Sequence, residues 1–305
     1  MAPETPAGSC FPASYCFYQK LLASYGRSRS RLYRAAIERT VKAAVLWGQV
    51  HRGIAFPDTA VGGWWWTWRW RFEVLMEWNE AESVCWCRRL VRPGMTVVDV
   101  GAHIGYYTRL LASLVGPSGA VYAFEAHPEN FALARRNLGE RSGGHVHLFN
   151  LAAGDEPGRV RLHLSPGSSN HSLVSGYTED RGTIEVECVT LDSFLAGCGV
   201  GAVDFVKIDV EGAEPRVLAG MSRLLAASPR AALLIELNPR ALACGGSSAE
   251  DLLERIGSLG FEPWIVLPDA RLEAPEGRSW EFEEGAPNLL CLRPGATAAA
   301  TRTFG

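Results

Sequence analysis

The sequence predicts an α/β protein with a mostly parallel, seven-stranded sheet, helices on both faces and an N-terminal helical and aromatic extension. Three observations carry this. From Thr96 onward, short apolar runs alternate with amphipathic stretches, the signature of strands laid down between covering helices. The run VVDVGAHIGYYT (Val97–Thr108) is an apolar strand, a two-glycine turn and a helix start. Upstream the texture differs: residues 15–52 carry eight Lys/Arg against one acid, Glu38, with apolar positions at helical spacing between them. Hydrophobic residues at 47% and charged residues at 21% exclude a disordered or fibrous chain. A net charge of −3 gives no support to a nucleic-acid partner.

Taken in order, residues 1–14 read as a loose leader and 15–73 as a basic, Trp-rich accessory region. Leu32, Ala36, Ile37, Val41, Val45 and Leu46 recur at helical spacing. The alternation Trp66-Thr-Trp68-Arg-Trp70-Arg-Phe72 predicts a strand with an aromatic face, and Glu73–Leu90 a helix leading into the sheet. Strands are expected at Thr96–Val100, Ala120–Glu125, Val146–Asn150, Val203–Asp209, Ala232–Leu237, Glu262–Leu267 and Asn288–Arg293. Helices are expected at Tyr106–Val115, Pro128–Leu138, Ala213–Leu225 and Ala249–Leu259. Arg159–Leu164 and Ile184–Thr190 alternate polar and apolar residues and read as an antiparallel pair flanking the loop Ser165–Gly182. Residues 294–305 read as a flexible tail. Eight cysteines without a Cys-x-x-Cys pair suggest buried free thiols and a cytoplasmic setting. No run reaches the length of a membrane span, and the N-terminus lacks the pattern of a secretory signal.

The chemistry concentrates at strand ends. Asp99-Val-Gly101-Ala102-His103-Ile-Gly105 has the spacing Asp-x-Gly-x-x-x-Gly, not the Gly-x-Gly-x-x-Gly of dinucleotide binders, which disfavours an NAD-dependent oxidoreductase. Gly101 lets the chain turn without a Cβ facing a ligand. Asp99 suits a cationic ligand such as S-adenosylmethionine. Glu125 ends the second strand, where a carboxylate can accept both hydroxyls of a ribose. Lys207-Ile-Asp209-Val-Glu211-Gly212-Ala-Glu214 sets three carboxylates within six residues, an arrangement that must be solvated, paired or functional. Asp209, Glu236 and Asn238 form a candidate site for a divalent cation, although methyl transfer needs only positioning and a base. His171, in the long loop, reads as a surface residue.

VVDVGAHIGYYT, VYAFEAHPENF, LAAGDEPG, VTLDSF, VKIDVEGAEPRVLAG and LLIELNP stand in the order found in FkbM-type methyltransferases, which the chain resembles over residues 74–293. The resemblance implies a Rossmann-like class I methyltransferase fold and S-adenosyl-L-methionine as cofactor. The acceptor is expected to be a small-molecule hydroxyl, on a sugar or a secondary metabolite. It implies that Asp99, Gly101, Ala102 and Gly105 hold the methionine portion and that Glu125, with Ala126 beside it, takes the ribose. Asn150, Ala152 and Ala153 would cradle adenine, with Asp155 a possible partner. Asp209 would face the transferred methyl, with Asp209, Glu211 and Glu236 the candidates for the base. The family pattern has Asn where His103 stands and Pro where Ala126 stands. A non-catalytic module that keeps the fold and binds partners through the basic, Trp-rich front end is the competing reading.

Overall fold

A computed structural model describes residues 11–28, 30–57, 64–139, 144–278, 280 and 286–296. Most of the expected leader and tail lies outside these. The regular elements of the N-terminal region are all helices: α1 (Ala13–Arg27), α2 (Arg31–Arg52), α3 (Trp64–Met76) and α4 (Ala81–Leu90). The expected aromatic strand is therefore a helix. Tryptophans at Trp64, Trp68 and Trp65 also satisfy i, i+3 and i, i+4 spacing, and α3 is packed on several sides, which hides its period. The single helix expected from Glu73 to Leu90 is broken by a turn in which Glu77 and Glu80 take positive φ.

Next come β1 (Thr96–Val100), α5 (Tyr106–Val115), β2 (Ala120–Phe124), α6 (Pro128–Leu138) and β3 (Val146–Phe149). They are followed by β4 (Ala152–Ala153), β5 (Gly158–His163), β6 (Thr183–Val189), α7 (Leu191–Gly197) and β7 (Phe205–Ile208). The helix expected over Ala213–Leu225 is two, α8 (Glu214–Ala219) and α9 (Ser222–Ala226). The break falls at Gly220, whose Cα lies so close to Gly154 that a Cβ would meet its carbonyl oxygen at 1.9 Å. The chain closes with β8 (Ala232–Glu236), α10 (Pro239–Cys244), α11 (Ala249–Ser258), β9 (Glu262–Val266), β10 (Leu272–Glu273) and β11 (Asn288–Leu292).

The main sheet has the order β10-β9-β11-β8-β7-β1-β2-β3, eight strands rather than seven, because the two-residue β10 folds back on β9. β8, β7, β1, β2 and β3 are mutually parallel, while β11 is antiparallel to both its neighbours. The expected hairpin forms a small second sheet, β4-β6-β5. This is a Rossmann-like α/β fold.

Period-two alternation along the strands assigns side chains to two cores. Val97, Val121, Phe205 and Leu290 meet Val45 of α2, Val74 of α3, Trp86 of α4 and Leu111 of α5. Val98, Val206, Leu233 and Ile235 meet Leu195, Val217, Leu225 and Leu252 on the other face. The N-terminal helices thus form part of one of the two layers covering the sheet. Trp86 is fully buried and donates its indole N–H to the Ala270 carbonyl at 3.0 Å. Burial of a side chain that size stabilises the layer by about 2–3 kcal/mol.

Among the cysteines, Cys85 is disulfide-bonded, a departure from the free thiols expected. Cys16, Cys87, Cys188, Cys198, Cys244 and Cys291 are free, and Cys198 and Cys244 are exposed rather than buried. From β1 the chain runs to β2 and β3 on one side, then returns to β7 and β8 on the other. The carboxyl ends of β1 and β7 therefore flank a topological switch point, where open α/β sheets bind ligands.

Candidate active site

At the end of β1, Gly101 has φ +86°, and a Cβ there would fall 1.8 Å from the carbonyl oxygen of Asp209 at the end of β7. Only glycine lets the two strand ends close up in this way. The amides of Gly101 and Ala102 donate to the Phe124 carbonyl at 2.9 and 3.0 Å, turning the loop across the end of β2. His103 follows at φ +50°, a conformation that asparagine adopts readily. Its backbone N–H donates to Glu125 Oε2 at 2.7 Å, and that of His127 donates to Glu125 Oε1 at 2.8 Å. Each carboxylate oxygen keeps acceptor capacity for a ligand. Burial pushes Glu125 up to about 7, against the opposing pull of the two amides.

The acidic end is organised around a buried cation. Lys207 donates to Asp209 Oδ2 at 2.7 Å and sits 4.4 Å from the centroid of the Tyr107 ring. Its pKa is raised: burial opposes the charged form, but Asp209, Glu80 and Asp99 outweigh it. Glu211 has φ +53° and is followed by Gly212 at +97°, an unusual turn held by Glu214, whose carboxylate accepts from the amides of Val210 and Gly212. Glu214 is thus a structural clamp, and Arg216 pairs with Asp155 at 2.9 Å. One carboxylate oxygen each from Asp209, Glu211 and Glu236 lies within 4.8 Å of the others. Burial, then the neighbouring carboxylates, raises both Glu211 and Glu236. Oε2 of Glu236 is buried with no hydrogen-bond partner among the described residues.

These two ends open into one cavity of about 300 Å³. Of the residues singled out in the sequence, Gly101, Ala102, Glu125, Ala126, Ala152, Ala153, Asp209, Glu211 and Glu236 line it. Asp99, Gly105, Asn150 and Asn238 do not. Asp99 is fully buried on the α5 side of β1, accepting from Thr108 at 2.6 Å. Gly105 caps α5 where Ala134 of α6 approaches. Asn150 donates to the Glu125 and Ala126 carbonyls and so fixes the loop after β2. The side-chain oxygen of Asn238 caps α10, and its amide donates to Tyr177 and Glu211. Among the described residues, Asp209, Glu211 and Glu236 form a carboxylate group able to hold a cation, and Asn238 touches it through the amide it donates to Glu211. Asp155, turned toward Arg216, is also outside the cavity.

Sequence reasoning offered the tryptophan cluster that includes Trp70 as a pocket wall, but it did not single out Val74, Glu80, Tyr106, Tyr107, Lys207 and Ser168 as wall residues, and it gave His171 to the surface. Lys207 had a signal, since it opens the KIDVEGAE run. The loop residues are brought in by two contacts: Asn130 donates to the Ser168 carbonyl at 2.9 Å, and the Ser168 hydroxyl lies 3.0 Å from His103 Nε2. Glu80 accepts from the Tyr107 hydroxyl and from Asn288.

The buried acids fix a pH dependence. Burial raises Glu125 and Glu214 to about 7, and Glu211 and Glu236 are raised in the same direction. An acid raised on folding favours the fold while protonated. Its contribution is complete below its unfolded value and is lost as pH climbs through the folded one. Burial pushes His103 and His171 down to about 4, so their contribution is complete by about pH 6.5. The melting temperature of the ligand-free protein should therefore fall from about pH 6.5 to about pH 8.5, and a Glu211→Gln/Glu236→Gln double variant should flatten the slope. A melting temperature that is level or rising over that interval would contradict this electrostatic picture.

The chain belongs to the methyltransferase FkbM domain family, whose model matches residues 99–263. It is 36% identical over 169 residues to the 31-O-demethyl-FK506 methyltransferase FkbM of Streptomyces tacrolimicus, covering 45% of this chain and 64% of that protein. It is 29% identical over 146 residues to the 2-O-methyltransferase NoeI of Sinorhizobium fredii, covering 43% and 59%. The match thus spans less than two thirds of either relative. Among solved structures, cofactor-bound Rv0187 from MTB aligns over 95% of this chain and 98% of its own, at 16% identity and a TM-score of 0.44.

Proposed function

We propose that this protein transfers a methyl group from S-adenosylmethionine to a hydroxyl of a small molecule, a sugar or a secondary metabolite. The observation that carries the reading is a single cavity at the switch point with the buried Glu125 at one end and the Asp209, Glu211 and Glu236 carboxylates at the other. The family membership and the O-methyltransferase names of the two relatives support the reaction class.

The residues present fit the cofactor. Glu125 takes the two ribose hydroxyls on lone pairs left free by the His103 and His127 amides. Ala152 and Ala153 border the adenine, and the Gly101–Ala102 backbone borders the methionine portion, with Asp99 and Gly105 holding that loop from behind. S-adenosylmethionine supplies an electrophilic methyl. Asp209, fixed by Lys207, would lie toward that methyl and orient the acceptor. Glu236, in its ionised form, would take the hydroxyl proton, with Glu211 beside it sharing that role. Trp70, Tyr106 and Tyr107 keep water from the reacting atoms.

The catalytic unit on this reading takes in residues 74–293, wider than the family match because α4 and β11 complete the sheet and its cover, together with Trp70 of α3, which lines the cavity. An acid-lined cavity disfavours a phosphodiester chain, which supports a small acceptor over a nucleic acid. No described helix is long and apolar enough to cross a membrane. Among the described residues six thiols are free, which favours a cytoplasmic setting, while the disulfide of Cys85 favours an oxidising one.

Incubation with methyl-labelled S-adenosylmethionine and a panel of hydroxylated acceptors, followed by NMR of the products, tests the reading. A new methyl ether is expected. Methyl on nitrogen or carbon overturns the O-transfer, and cofactor binding with no turnover across the panel favours a binding module.

A further inference from the structure

Among the described residues, six of the seven exposed large hydrophobic side chains lie between Phe17 and Val50. Most belong to α2, a 22-residue helix about 33 Å long, capped by Ser30 at its start and by left-handed Gly53 at its end. Its inner face, Ile37, Val41, Val45 and Gly48, is buried, and Gly48 fits against Leu75 of α3. Its outer face repeats the helical period in apolar residues: Leu32, Ala36, Ala43, Leu46, Trp47 and Val50 are exposed. Leu32 is 86% exposed, Val50 79% and Trp47 65%. A helix with two apolar faces, one of them open to water, is built to cover something.

The charge around the stripe identifies what. Lys20, Arg27, Arg31 and Arg39 are exposed on or beside α2, in a chain whose total charge is −3, while Arg34 and Arg52 turn to the inner side, Arg34 over the Tyr25 ring and Arg52 donating to the Leu75 carbonyl. The one acid between residues 15 and 52, Glu38, is taken up by the Tyr25 hydroxyl at 2.6 Å. Two copies of this face laid together would bring arginine against arginine. A nucleic acid would leave the apolar stripe uncovered. No described helix is long and apolar enough to span a bilayer, so a lipid contact would be made along the surface.

We propose that α2 docks this protein on an anionic lipid surface, lying flat with Leu32, Leu46, Trp47 and Val50 among the headgroups and Arg31 and Arg39 on lipid charges. The inner face of α2 packs on α3, which supplies Trp70 and Val74 to the cavity. Docking therefore holds the cavity two helix layers from the lipid.

Flotation of the full chain with phosphatidylcholine vesicles containing roughly a third phosphatidylglycerol tests this. Binding is expected, weakened by high salt and at least about ten-fold weaker on phosphatidylcholine alone. A Leu32→Gln/Trp47→Gln/Val50→Gln variant should lose at least about ten-fold in vesicle affinity while S-adenosylhomocysteine binding stays unchanged. The proposal is overturned by no binding to the anionic vesicles, or by equal binding of the triple variant. It is also overturned by a dimer in light scattering that the variant converts to monomer, since a second copy would then own the face. Loss of S-adenosylhomocysteine binding in the parent would count against the proposed reaction and not against docking.

Discussion

A Gly101→Val protein is expected to bind no S-adenosylhomocysteine and to be destabilised by more than about 4 kcal/mol. The new Cβ would fall 1.8 Å from the Asp209 carbonyl oxygen and 2.9 Å from its carbon, both backbone atoms of the neighbouring strand end. No rotamer relieves that overlap, because the first side-chain atom causes it. At φ +86° the backbone is also strained for a β-branched residue. Relief requires the ends of β1 and β7 to part, which spoils the cavity floor and the Asp209 position together. Gly101→Ala should fail nearly as badly, unlike a clash with a ligand alone, which would spare stability. Urea unfolding and calorimetric titration with S-adenosylhomocysteine read the two effects, and parent-like values in either variant would falsify the close approach.

Glu125→Ala should weaken S-adenosylhomocysteine binding by on the order of a hundred-fold or more, since two charge-assisted hydrogen bonds at about 1.5–3 kcal/mol each are lost. The loss is compounded locally. With the carboxylate gone, the amides of His103 and His127 have no acceptor there, and the two loops bordering the cofactor lose their common tie. Glu125→Gln keeps one acceptor oxygen and should fall between parent and alanine. Titration of all three proteins orders them, and an alanine variant with parent affinity would move the ribose elsewhere.

Much of this was legible from residues whose environment is set by neighbours in sequence. β1, β2, β7 and β8 announce themselves as apolar runs because both of their faces are covered, and the hairpin of β5 and β6 shows alternation because one face is wet. The turn at Gly101 and the carboxylate at Glu125 follow from strand ends alone. Asp99 shows where such reasoning overreaches. Strand parity puts it on the face of Val97, beneath α5 and against Thr108, one residue out of phase with the cavity. The Glu211 turn depends on Glu214 accepting two amides, a contact no spacing rule encodes. The tryptophan run misled because a helix packed on several sides carries aromatic residues around its circumference, and a period of two can be cut from it by chance. The wall formed by Trp70, Val74 and Glu80 depends on how α3 and α4 lie across the sheet, which only tertiary packing decides.

Trp70 and Val74 sit in α3, within the layer that covers the sheet, and at the same time in the cavity wall. A substitution there that reshapes the pocket for a new acceptor also removes packing from the core, so novelty and stability are drawn from one reserve. The segment from Ser168 to His171 carries no such double duty toward the sheet, being held to the cavity rim by hydrogen bonds. Descendants of this protein that change acceptor should therefore diverge first in that loop, while the aromatic helix changes slowly and only alongside compensating residues in α2 and α4.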